Sequence, residues 1–308
     1  MLAGLRHFRR IITVARILAR HDALFPLERA GLPRVFTGLL RIVLLAPRKS
    51  GVRQIRPGER LTLAMTALGP AFVKLGQALS VRPDLVGDTL ADDLRSLQDN
   101  LPAFSGAQAR TIVETELNGT IEDLFGSFDD TAIAAASIAQ VHKATTPDGD
   151  AIAVKLLRPG IEAAFARDLD LALWAAQRVQ NLRPELNRLR PVEAVQTIIR
   201  SVEMEMDLRF EAAAADELRQ NFEDDPTFSV PAVDWLRTGR RVMTTAWIDA
   251  TPMNEIDPDT EKLDRETIVA NFARAFFLQV FRDGFFHADL HPGNIFVDDE
   301  GVVHAVDF

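Results

Sequence analysis

The chain has 308 residues, enough to bury one or two hydrophobic cores. Its 47% of hydrophobic and 26% of charged residues are typical of an ordinary globular or peripheral protein, and the absence of cysteine excludes disulfides, thiol nucleophiles and thiolate metal sites. The net charge of −9 conceals a basic first segment, since residues 1–60 hold 13 Lys or Arg against 3 acidic residues. This asymmetry predicts an anionic surface, either a membrane or a nucleic acid, as a partner.

The first predicted element is an amphipathic helix at Leu5–Leu18, with apolar residues at helical spacing and arginines between them. Such a helix can lie in a membrane interface, or it can dock on its own domain and expose its arginines. No run of about eighteen uncharged apolar residues occurs, a secretory leader is not expected, and no aromatic stacking platform supports nucleic-acid binding. We favour membrane contact because the basic character continues past the helix, at Arg34, Arg41, Arg48, Lys49, Arg53 and Arg56.

The next region is predicted to be helical and contains the sequence KLGQ. Glu59–Leu79 has the pattern of a helix that is interrupted near Gly69–Pro70. Lys74 and Gln77 lie three residues apart, so they share a face of this helix, although a single K-x-G-Q is a weak signal. Further helices are predicted at Asp84–Leu97 and at Ser105–Leu117, the second of which opens with a serine cap.

A β-rich region begins at Phe128, where three predicted strands are joined by a loop and a hairpin. Neither G-x-G nor G-x-x-x-x-G-K-[ST] occurs in the chain, so a nucleotide would have to contact a backbone other than a glycine cradle. The alanine-rich stretch between the first two strands is the candidate, and alanine gives a stiffer loop than glycine. The predicted nucleotide-contacting residues are Ala134, Ala135, Ala136 and Ser137, and the following strands are Ala139–Ala144 and Ala151–Leu157.

Lys155 lies inside the apolar strand AIAVKLL, in the position of the strand Lys of the kinase V-A-I-K signature, which neutralises nucleotide phosphates. The alternative is a surface Lys on an edge strand, but an unpaired buried ammonium is costly, so the apolar run favours a paired or functional Lys. A kinase also needs a helical Glu to pair with this Lys. Two helices are predicted next, Ile161–Asn181 and Val192–Phe222, and Glu211 in the second is our choice for the pair; a solvated acidic face is the alternative.

A strand at Arg241–Ile248 precedes a polar connection at Asp249–Asp259, which suits a hinge between two lobes. A strongly apolar helix follows at Arg265–Asp283. Its phenylalanines are predicted to lie in the core: Phe272, Phe276, Phe277 and Phe281.

The end of the chain carries three polar side chains at the intervals of a protein kinase. Asp289 and Asn294 lie in HADLHPGN, which matches the H-x-D-x-x-x-x-N pattern of a catalytic loop, and Asp307 lies in the terminal VDF. Strands at Ile295–Val297 and Val302–Val306 around a turn would return Asp307 to the neighbourhood of Asn294. Because Mg²⁺ prefers hard oxygen ligands, Asn294 and Asp307 are predicted to hold it, and Asp289 is predicted to accept a proton from the attacking hydroxyl.

Two other interpretations of this segment must be weighed. The residues can be ordinary loop residues, because Asp and Asn favour turns. Alternatively, His287, Asp289 and His291 alternate and could hold zinc or iron. A hydrolytic metal site usually needs further ligands, and no H-E-x-x-H occurs in the chain, so the magnesium interpretation is favoured.

Six motifs in order resemble those of the UbiB family of atypical kinases: KLGQ, AAASIAQVH, AVK, EMD, HADLHPGN and VDF. The resemblance covers nearly the whole chain and implies an α+β, protein-kinase-like fold of two lobes with an N-terminal helical extension. It also implies that four residues meet over the nucleotide site and close it to protein substrates: Lys74, Gln77, Glu205 and Asp207.

The same resemblance implies ATP (or ADP) and Mg²⁺ as cofactors, with ATPase activity rather than clear protein phosphorylation, in support of ubiquinone biosynthesis. It implies peripheral attachment to the cytoplasmic face of the inner membrane, with an anionic membrane surface, lipid quinone precursors and other proteins of ubiquinone biosynthesis as partners. Older descriptions of such proteins as hydroxylases find no support, because the chain has no flavin fingerprint and no credible iron site.

The motifs divide the chain into four segments: a basic membrane-proximal segment at 1–60, a helical extension with KLGQ at 61–127, an N-lobe with inserted helices at 128–248 and a partial C-lobe at 249–308. The sequence stops before the glycine of D-F-G, so a truncated C-lobe is expected, and Thr131-Ala132-Ile133 stands where the family often has a proline. Two functional alternatives stay open: a non-catalytic lipid-binding scaffold switched by nucleotide, and a small-molecule phosphotransferase, which KLGQ and the alanine loop disfavour.

Overall fold

The computed structural model describes residues 2–25, 44, 47, 49, 51–81, 83–97, 102–182, 187–188, 190–256 and 264–308. The chain separates into two compact units. The first unit comprises residues 1–103, 135–139 and 160–200, and the second comprises 104–134, 140–159 and 201–308. Helices build the first unit and two β-sheets lie almost wholly in the second, so the predicted α+β class is confirmed. The division into four segments by motif stays a prediction.

The first unit is a group of helices around a small apolar core. Its described helices are Leu2–Arg20, Pro57–Leu68, Pro70–Ser80, Pro83–Val86, Asp88–Arg95 and Ile161–Leu182, and Pro191–Glu205 begins in it. The predicted interruption near Gly69–Pro70 is confirmed, because Gly69 has φ of 112° and Pro70 starts the next helix. The core residues are Ala23, Leu61, Ala64, Met65, Val73, Leu94 and Leu97.

One face of the N-terminal helix docks on the helix Ile161–Leu182 through ion pairs. Arg10 contacts both carboxylate oxygens of Asp168, at 2.6 and 2.8 Å, and also donates to the Leu68 carbonyl at 2.9 Å. Nε2 of His7 lies 2.9 Å from a carboxylate oxygen of Asp170. This face of the helix therefore packs on its own unit, which is one of the two possibilities that the sequence left open. A buried bidentate pair of this kind fixes the helix in one register.

A neighbouring face of the same helix is exposed. Phe8 is 59% exposed and Ile11 is 39% exposed, one helical turn apart. Of the basic residues expected to extend this surface, Lys49 is exposed, and the side chain of Arg56 pairs with Asp93 at 2.6 Å. Arg34, Arg41, Arg48 and the side chain of Arg53 lie outside the described residues.

The second unit contains eight described strands in two four-stranded sheets. They are β1 (Ser127–Ala135), β2 (Ala139–Thr145), β3 (Ala151–Leu157), β4 (Phe228–Ser229), β5 (Val242–Ala246), β6 (Thr251–Pro252), β7 (Ile295–Val297) and β8 (Val303–Ala305). The first sheet has the order β1-β2-β3-β5 and the second has the order β4-β8-β7-β6. The predicted hairpin near the end of the chain is confirmed, because β7 and β8 pair antiparallel around residues 298–302.

The core of the second unit forms where the helix Gly106–Leu117 packs on the first sheet. Ser105 caps this helix, since its hydroxyl accepts from the Gln108 backbone N–H and the Gln108 side chain reaches back to the Ser105 N–H. The core residues are Ala109, Ile112, Val113, Ile121, Phe125, Phe128, Ala144, Ile152, Val154, Leu156 and Val242.

The strand β3 shows how this core positions a functional residue. Ile152, Val154 and Leu156 point into the core, with 4% or less of each exposed. Side chains alternate across a strand, so Lys155 is directed to the other face of the sheet. There it lies opposite Met243 in the antiparallel register of β3 with β5.

The prediction of one long helix at Val192–Phe222 is wrong. The structure has two helices, Pro191–Glu205 and Leu208–Asn221, and Asp207 between them has an extended backbone with φ of −133°. The Asp207 carboxylate accepts from the Arg209 backbone N–H, so Asp207 is the N-cap of the second helix. A short acidic side chain stabilises a helix start better than a helix interior, which is why the chain breaks here.

The prediction that the phenylalanines near residue 276 lie in the core is also wrong for three of the four. Phe276, Phe277 and Phe281 are 37%, 56% and 79% exposed, while Phe272 is half-buried. The α-helix runs from Arg265 to Leu278 and continues as a π-turn at Gln279–Asp283. Apolar residues occur on every side of this helix, so its sequence alone does not show which face packs against the unit.

A fully buried polar pair joins β2 to the start of the helix Gly106–Leu117. The Gln140 side chain accepts from the Phe104 backbone N–H at 2.9 Å and lies 2.6 Å from Nε2 of His142. The other ring nitrogen of His142 lies 2.8 Å from the Asp129 carbonyl. A ring that donates to this carbonyl and accepts from the Gln140 amide is neutral, and burial lowers the pKa of His142 accordingly.

This lowered pKa predicts acid sensitivity. As the pH falls through the usual His value of about 6.5, the unfolded chain takes up the proton before the folded chain does, so the free energy of unfolding falls. We expect thermal unfolding followed by circular dichroism to show a lower Tm at about pH 5.5 than at about pH 7.5. His142→Asn should lose less over this interval, and an equal loss in both proteins would contradict the assignment.

Candidate functional site

The centre of the candidate site is the ammonium group of Lys155 between two carboxylates. Its Nζ lies 2.6 Å from Oε1 of Glu211 and forms a second ion pair with Oδ1 of Asp307. β3 supplies the cation, the first turn of the helix Leu208–Asn221 supplies Glu211, and the segment after β8 supplies Asp307. The structure thus brings together the Lys and the Glu that the sequence analysis paired, while their roles towards a nucleotide stay predictions.

The three charges affect each other strongly. Burial would lower the pKa of Lys155, but the charges of Asp307 and Glu211 outweigh it and raise that pKa well above its usual range. Burial raises the pKa of Glu211, and Lys155 offsets part of this rise. The charge of Lys155 lowers the pKa of Asp307. Lys155 therefore stays charged across the physiological range, and the cluster of one cation and two carboxylates favours a further cation.

The HADLHPGN segment is a loop held in place by its own hydrogen bonds. The Asp289 carbonyl accepts from the side-chain amide of Asn294 at 3.1 Å and from the His291 backbone N–H at 3.0 Å. The Asn294 carbonyl then accepts from the Val306 backbone N–H at 2.9 Å. This last bond brings Asn294 next to the residue that precedes Asp307, so the two predicted magnesium ligands lie on neighbouring segments.

His287 joins the start of this loop to the end of the chain. Its Nδ1 accepts from the Asp289 backbone N–H at 3.1 Å, and its Nε2 lies 3.0 Å from the Val306 carbonyl. The ring also packs on Phe308, with centroids 4.8 Å apart. Burial lowers the pKa of His287, which suits a neutral ring that accepts at one nitrogen and donates at the other.

These contacts bear on the zinc or iron alternative. Both nitrogens of His287 are engaged with the backbone, and Nδ1 of His291 accepts from the Gly293 N–H at 3.1 Å. Within the described ranges no group of three or more His, Cys, Asp or Glu side chains is arranged to hold a metal ion. The contacts of the His287 ring therefore serve to position the loop.

Asn294 and Asp307 fit the chemistry of a magnesium site. The amide nitrogen of buried Asn294 is bound to the Asp289 carbonyl, so its oxygen is the atom left for a metal. The Asp307 side chain is half-exposed, and its backbone is in the left-handed region with φ of 66°. A left-handed backbone is uncommon at residues other than glycine, and such positions cluster at ligand sites. One carboxylate and one amide oxygen suffice for Mg²⁺ that also binds phosphate oxygens.

The side chain of Asp289 is exposed, and its backbone is fixed on both sides by the bonds described above. A base needs access to the hydroxyl group that it deprotonates, so exposure is compatible with the role expected from the sequence. That role stays a prediction.

The alanine-rich stretch is partly strand. Ala134 and Ala135 end β1, so they do not belong to the loop that the sequence analysis assigned them to. Ala136 and Ser137 form the connection to β2, which is closed by a hydrogen bond of 2.9 Å from the Ala136 N–H to the Ala139 carbonyl. Contact of this stretch with a nucleotide stays a prediction.

The four residues expected to meet over the nucleotide site are divided between the two units. Lys74 and Gln77 lie on the helix Pro70–Ser80 of the first unit, and the Gln77 amide donates to the Leu97 carbonyl at 3.1 Å. Glu205 ends a helix and Asp207 caps the next one in the second unit. Arg209 binds both carboxylate oxygens of Asp207 and lowers the pKa of this carboxyl. Their expected meeting stays a prediction.

Sequence reasoning missed the backbone role of His287 and overlooked Gln279. Gln279 is fully buried, and its side-chain oxygen accepts from the His287 N–H at 2.9 Å. A polar residue within the apolar helix pattern was the available signal, because buried amides need partners.

The family profile and the curated relatives both indicate a family of kinase-like proteins. A profile described as ABC1 atypical kinase-like domain matches residues 96–308. Two curated relatives are both named "Probable protein kinase UbiB". The one from Marinobacter nauticus is 41% identical over 293 residues, which are 94% of this chain and 53% of the relative. The one from Cellvibrio japonicus is 39% identical over 296 residues, which are 95% of this chain and 52% of the relative.

This chain thus spans about half the length of the curated relatives that it matches. Among solved structures, that of the Rv3197–erythromycin complex from Mycobacterium tuberculosis matches with a TM-score of 0.59 and 32% identity. The match covers 76% of this chain and 59% of the other.

The ion-pair cluster predicts how a variant at Lys155 behaves. Lys155→Met leaves the mostly buried Glu211 carboxylate without its cation, so we expect the free energy of unfolding to fall by about 3 kcal/mol near neutral pH. The loss should be smaller near pH 5, because burial raises the pKa of Glu211 and the unpaired carboxyl can take up a proton. Urea unfolding at both pH values measures this.

Two further variants serve as controls for this measurement. Lys143→Met removes the exposed Lys of the neighbouring strand β2, whose ammonium lies 4.2 Å from the centre of the Trp247 ring, and should cost about 1 kcal/mol or less. The double variant Lys155→Met, Glu211→Gln should regain part of the lost stability. A Lys155→Met protein as stable as Lys143→Met would show that the pair is not a buried one.

Proposed function

This chain belongs to the ABC1 atypical kinase-like family, and we propose that it binds ATP or ADP with Mg²⁺ and works as a kinase-like ATPase. Membership confirms the UbiB resemblance of the six sequence motifs, and the predicted kinase-like fold class is confirmed with it. The single observation that carries the proposal is the ion pair of Lys155 with Glu211 and Asp307 beside the hydrogen-bonded HADLHPGN loop.

Each residue of the site has a proposed task. Lys155, oriented by Glu211, binds the phosphates that precede the terminal one. Asn294 and Asp307 hold Mg²⁺, which when bound screens the charge of the phosphate oxygens. Asp289 orients the attacking hydroxyl or water and accepts its proton, and His287 keeps the loop that carries Asp289 in place. This division of work is positioning and electrostatic stabilisation, which is what phosphoryl transfer requires.

Magnesium-dependent nucleotide binding tests the proposal. In isothermal titration we expect Mg²⁺ to strengthen ATP binding, and Asp307→Asn to lower the affinity in Mg²⁺ at least about tenfold, or about 1.4 kcal/mol. Asn keeps the size of the side chain and tolerates the left-handed backbone, so the loss would report the carboxylate rather than strain. Phosphate release should fall in the same variant.

The matched control is Asp299→Asn, which removes an exposed carboxylate in the turn between β7 and β8 and should leave binding and turnover as they are. Unchanged magnesium dependence and turnover in both Asp307→Asn and Lys155→Met would overturn the proposed function.

We further propose that the protein supports ubiquinone biosynthesis at a membrane. The support for this is the name of the UbiB relatives and the open, basic, amphipathic face of the N-terminal helix, with Phe8 and Ile11 exposed beside Arg9 and Arg16. Such a face suits peripheral contact with anionic lipids at the cytoplasmic side of the inner membrane. In the described parts of the chain no helix has the length and apolar character needed to cross a bilayer. Lipid quinone precursors and other proteins of ubiquinone biosynthesis are the proposed partners.

The same exposed face favours a second candidate function, a nucleotide-switched scaffold that binds lipid quinone precursors without turnover. An assay of phosphate release with anionic vesicles and a phenolic lipid separates the two. Negligible release together with nucleotide-dependent lipid extraction would favour the scaffold over the ATPase.

Membrane contact through this face has its own test. Phe8→Ser should weaken co-sedimentation with vesicles of phosphatidylcholine and phosphatidylglycerol roughly thirtyfold, since burying one large apolar side chain contributes about 2 kcal/mol. Leu182→Ser, at a 74% exposed position of the same unit, is the control and should bind as the unaltered protein does. Equal binding of both variants would count against this face as the lipid contact.

A further inference from the structure

Gln279 is an unusual residue for its place in the fold. It is fully buried at the end of the helix Arg265–Leu278, where the neighbouring positions Phe277 and Phe281 are exposed. It is also the first residue of the π-turn Gln279–Asp283. Turns of this kind are rare, and they occur frequently at functional sites.

The Gln279 side chain makes a hydrogen bond through its oxygen but none through its nitrogen within the described residues. Its oxygen accepts from the His287 backbone N–H at 2.9 Å. Its Nε2 donor has no hydrogen-bond partner within the described residues. Buried polar groups are nearly always satisfied, so an amide kept here at a cost to stability points to a task other than filling the core.

The chain path explains why a side chain has to hold this N–H. After the π-turn, Gly284 takes the left-handed conformation with φ of 65°, and residues 285–287 continue without regular structure. The His287 N–H therefore lies outside any helix or strand ladder. A side chain long enough to reach back from the preceding helix supplies the acceptor, and Gln279 does so across eight residues.

From His287 a series of hydrogen bonds continues along the loop. His287 receives the Asp289 N–H on its ring, and Asp289 holds the side chain of Asn294 on its carbonyl. Gln279 is thus the point where this chain of contacts is attached to a helix.

We propose that Gln279 is a positioning residue, which fixes the main chain at His287 and through it the placement of Asp289 and Asn294. The inference rests on the proposed function for its effect on turnover. Its effect on the order of the loop is independent of that function. Gln279 binds the His287 N–H, whose ring in turn receives the N–H of Asp289, the proposed base, whereas Lys155 is held by Glu211 and Asp307. Gln279 should therefore govern turnover more than nucleotide affinity.

Three substitutions at this position separate the effect of side-chain length from the effect of the hydrogen-bond acceptor. Gln279→Asn keeps the amide but is one methylene too short to reach the His287 N–H. Gln279→Met keeps the length but removes the acceptor. Gln279→Glu keeps both the length and an oxygen acceptor. If Gln279 were only core filler, Met would be the best tolerated of the three, because it also removes the unpaired donor.

Turnover and loop exchange are measured in the same set of proteins. We expect Gln279→Asn and Gln279→Met to lower kcat by about 10- to 100-fold with a much smaller change in KM for ATP, because misplacing a reacting group has effects of that size. Hydrogen exchange followed by mass spectrometry should show faster exchange at residues 285–294 in both. Gln279→Glu should retain clearly more of kcat and of the protection than Gln279→Asn.

The location-matched control is Phe281→Leu, at a 79% exposed position of the same π-turn, which should change neither kcat nor loop exchange. Should Gln279→Met fail to fold, Gln279→Asn and Gln279→Glu carry the comparison. Absence of turnover in the unaltered protein would refute the proposed function alone, since the exchange measurement still decides the role of Gln279. Loop exchange in Gln279→Asn that matches the unaltered protein would overturn the inference.

Discussion

The ammonium of Lys155 binds two carboxylates that lie 56 and 152 residues further along the chain. One comes from a helix that begins after Asp207, and the other follows the β7–β8 hairpin. Because a buried charge needs a partner, the cation and Glu211 fix each other, and Asp307 reaches them only when the hairpin has formed. A single electrostatic cluster therefore links the first sheet of the second unit to the second sheet.

The charge of this cluster has a further effect on binding. Two carboxylates against one ammonium leave an excess of negative charge, so a nucleotide that arrives without a metal would meet repulsion from Asp307. Under the proposed function, a divalent cation held by Asp307 would remove this repulsion and would leave Lys155 available to contact phosphate. Under the proposed function, nucleotide and metal binding should strengthen each other, and the ion pair of Lys155 with Asp307 is the contact that both have to replace.

The sequence was sufficient wherever a local pattern determined the outcome. The apolar run around Lys155 predicted its strand, and the turn residues between the last two strands predicted the hairpin that brings Asp307 near Asn294. Prediction from the sequence failed where two local structures were possible and contacts elsewhere in the fold determined which one formed. The acidic run near residue 205 could continue a helix or cap one, and Asp207 capped a new helix because its carboxylate could reach the next N–H groups. Which side of a helix that is apolar all round faces solvent, as at Phe281, depends on packing that no local pattern contains.

The part played by Gln279 could not be read from the sequence for a related reason. A glutamine within an apolar helix is compatible with an exposed position, and only the path of the chain after Gly284 shows which backbone group requires it. Residues that act on side chains leave motifs, because the chemistry restricts the residue types at both ends. A residue that holds a single backbone N–H in an irregular segment leaves no motif, since every residue except proline has that group, whereas a helix cap recurs at a fixed spacing.

The left-handed backbone of Asp307 restricts what evolution or design can place there. Only glycine, asparagine and aspartate adopt this conformation with ease, and glycine has no oxygen to offer a metal. Under the proposed function, the torsion angles and the ligand chemistry together leave aspartate and asparagine, of which aspartate alone carries a charge to offset that of a metal ion. A longer acid such as glutamate would supply the charge but strain the backbone. If the proposed function holds, diversification towards other metals or substrates should leave this position as aspartate and vary the residues around it.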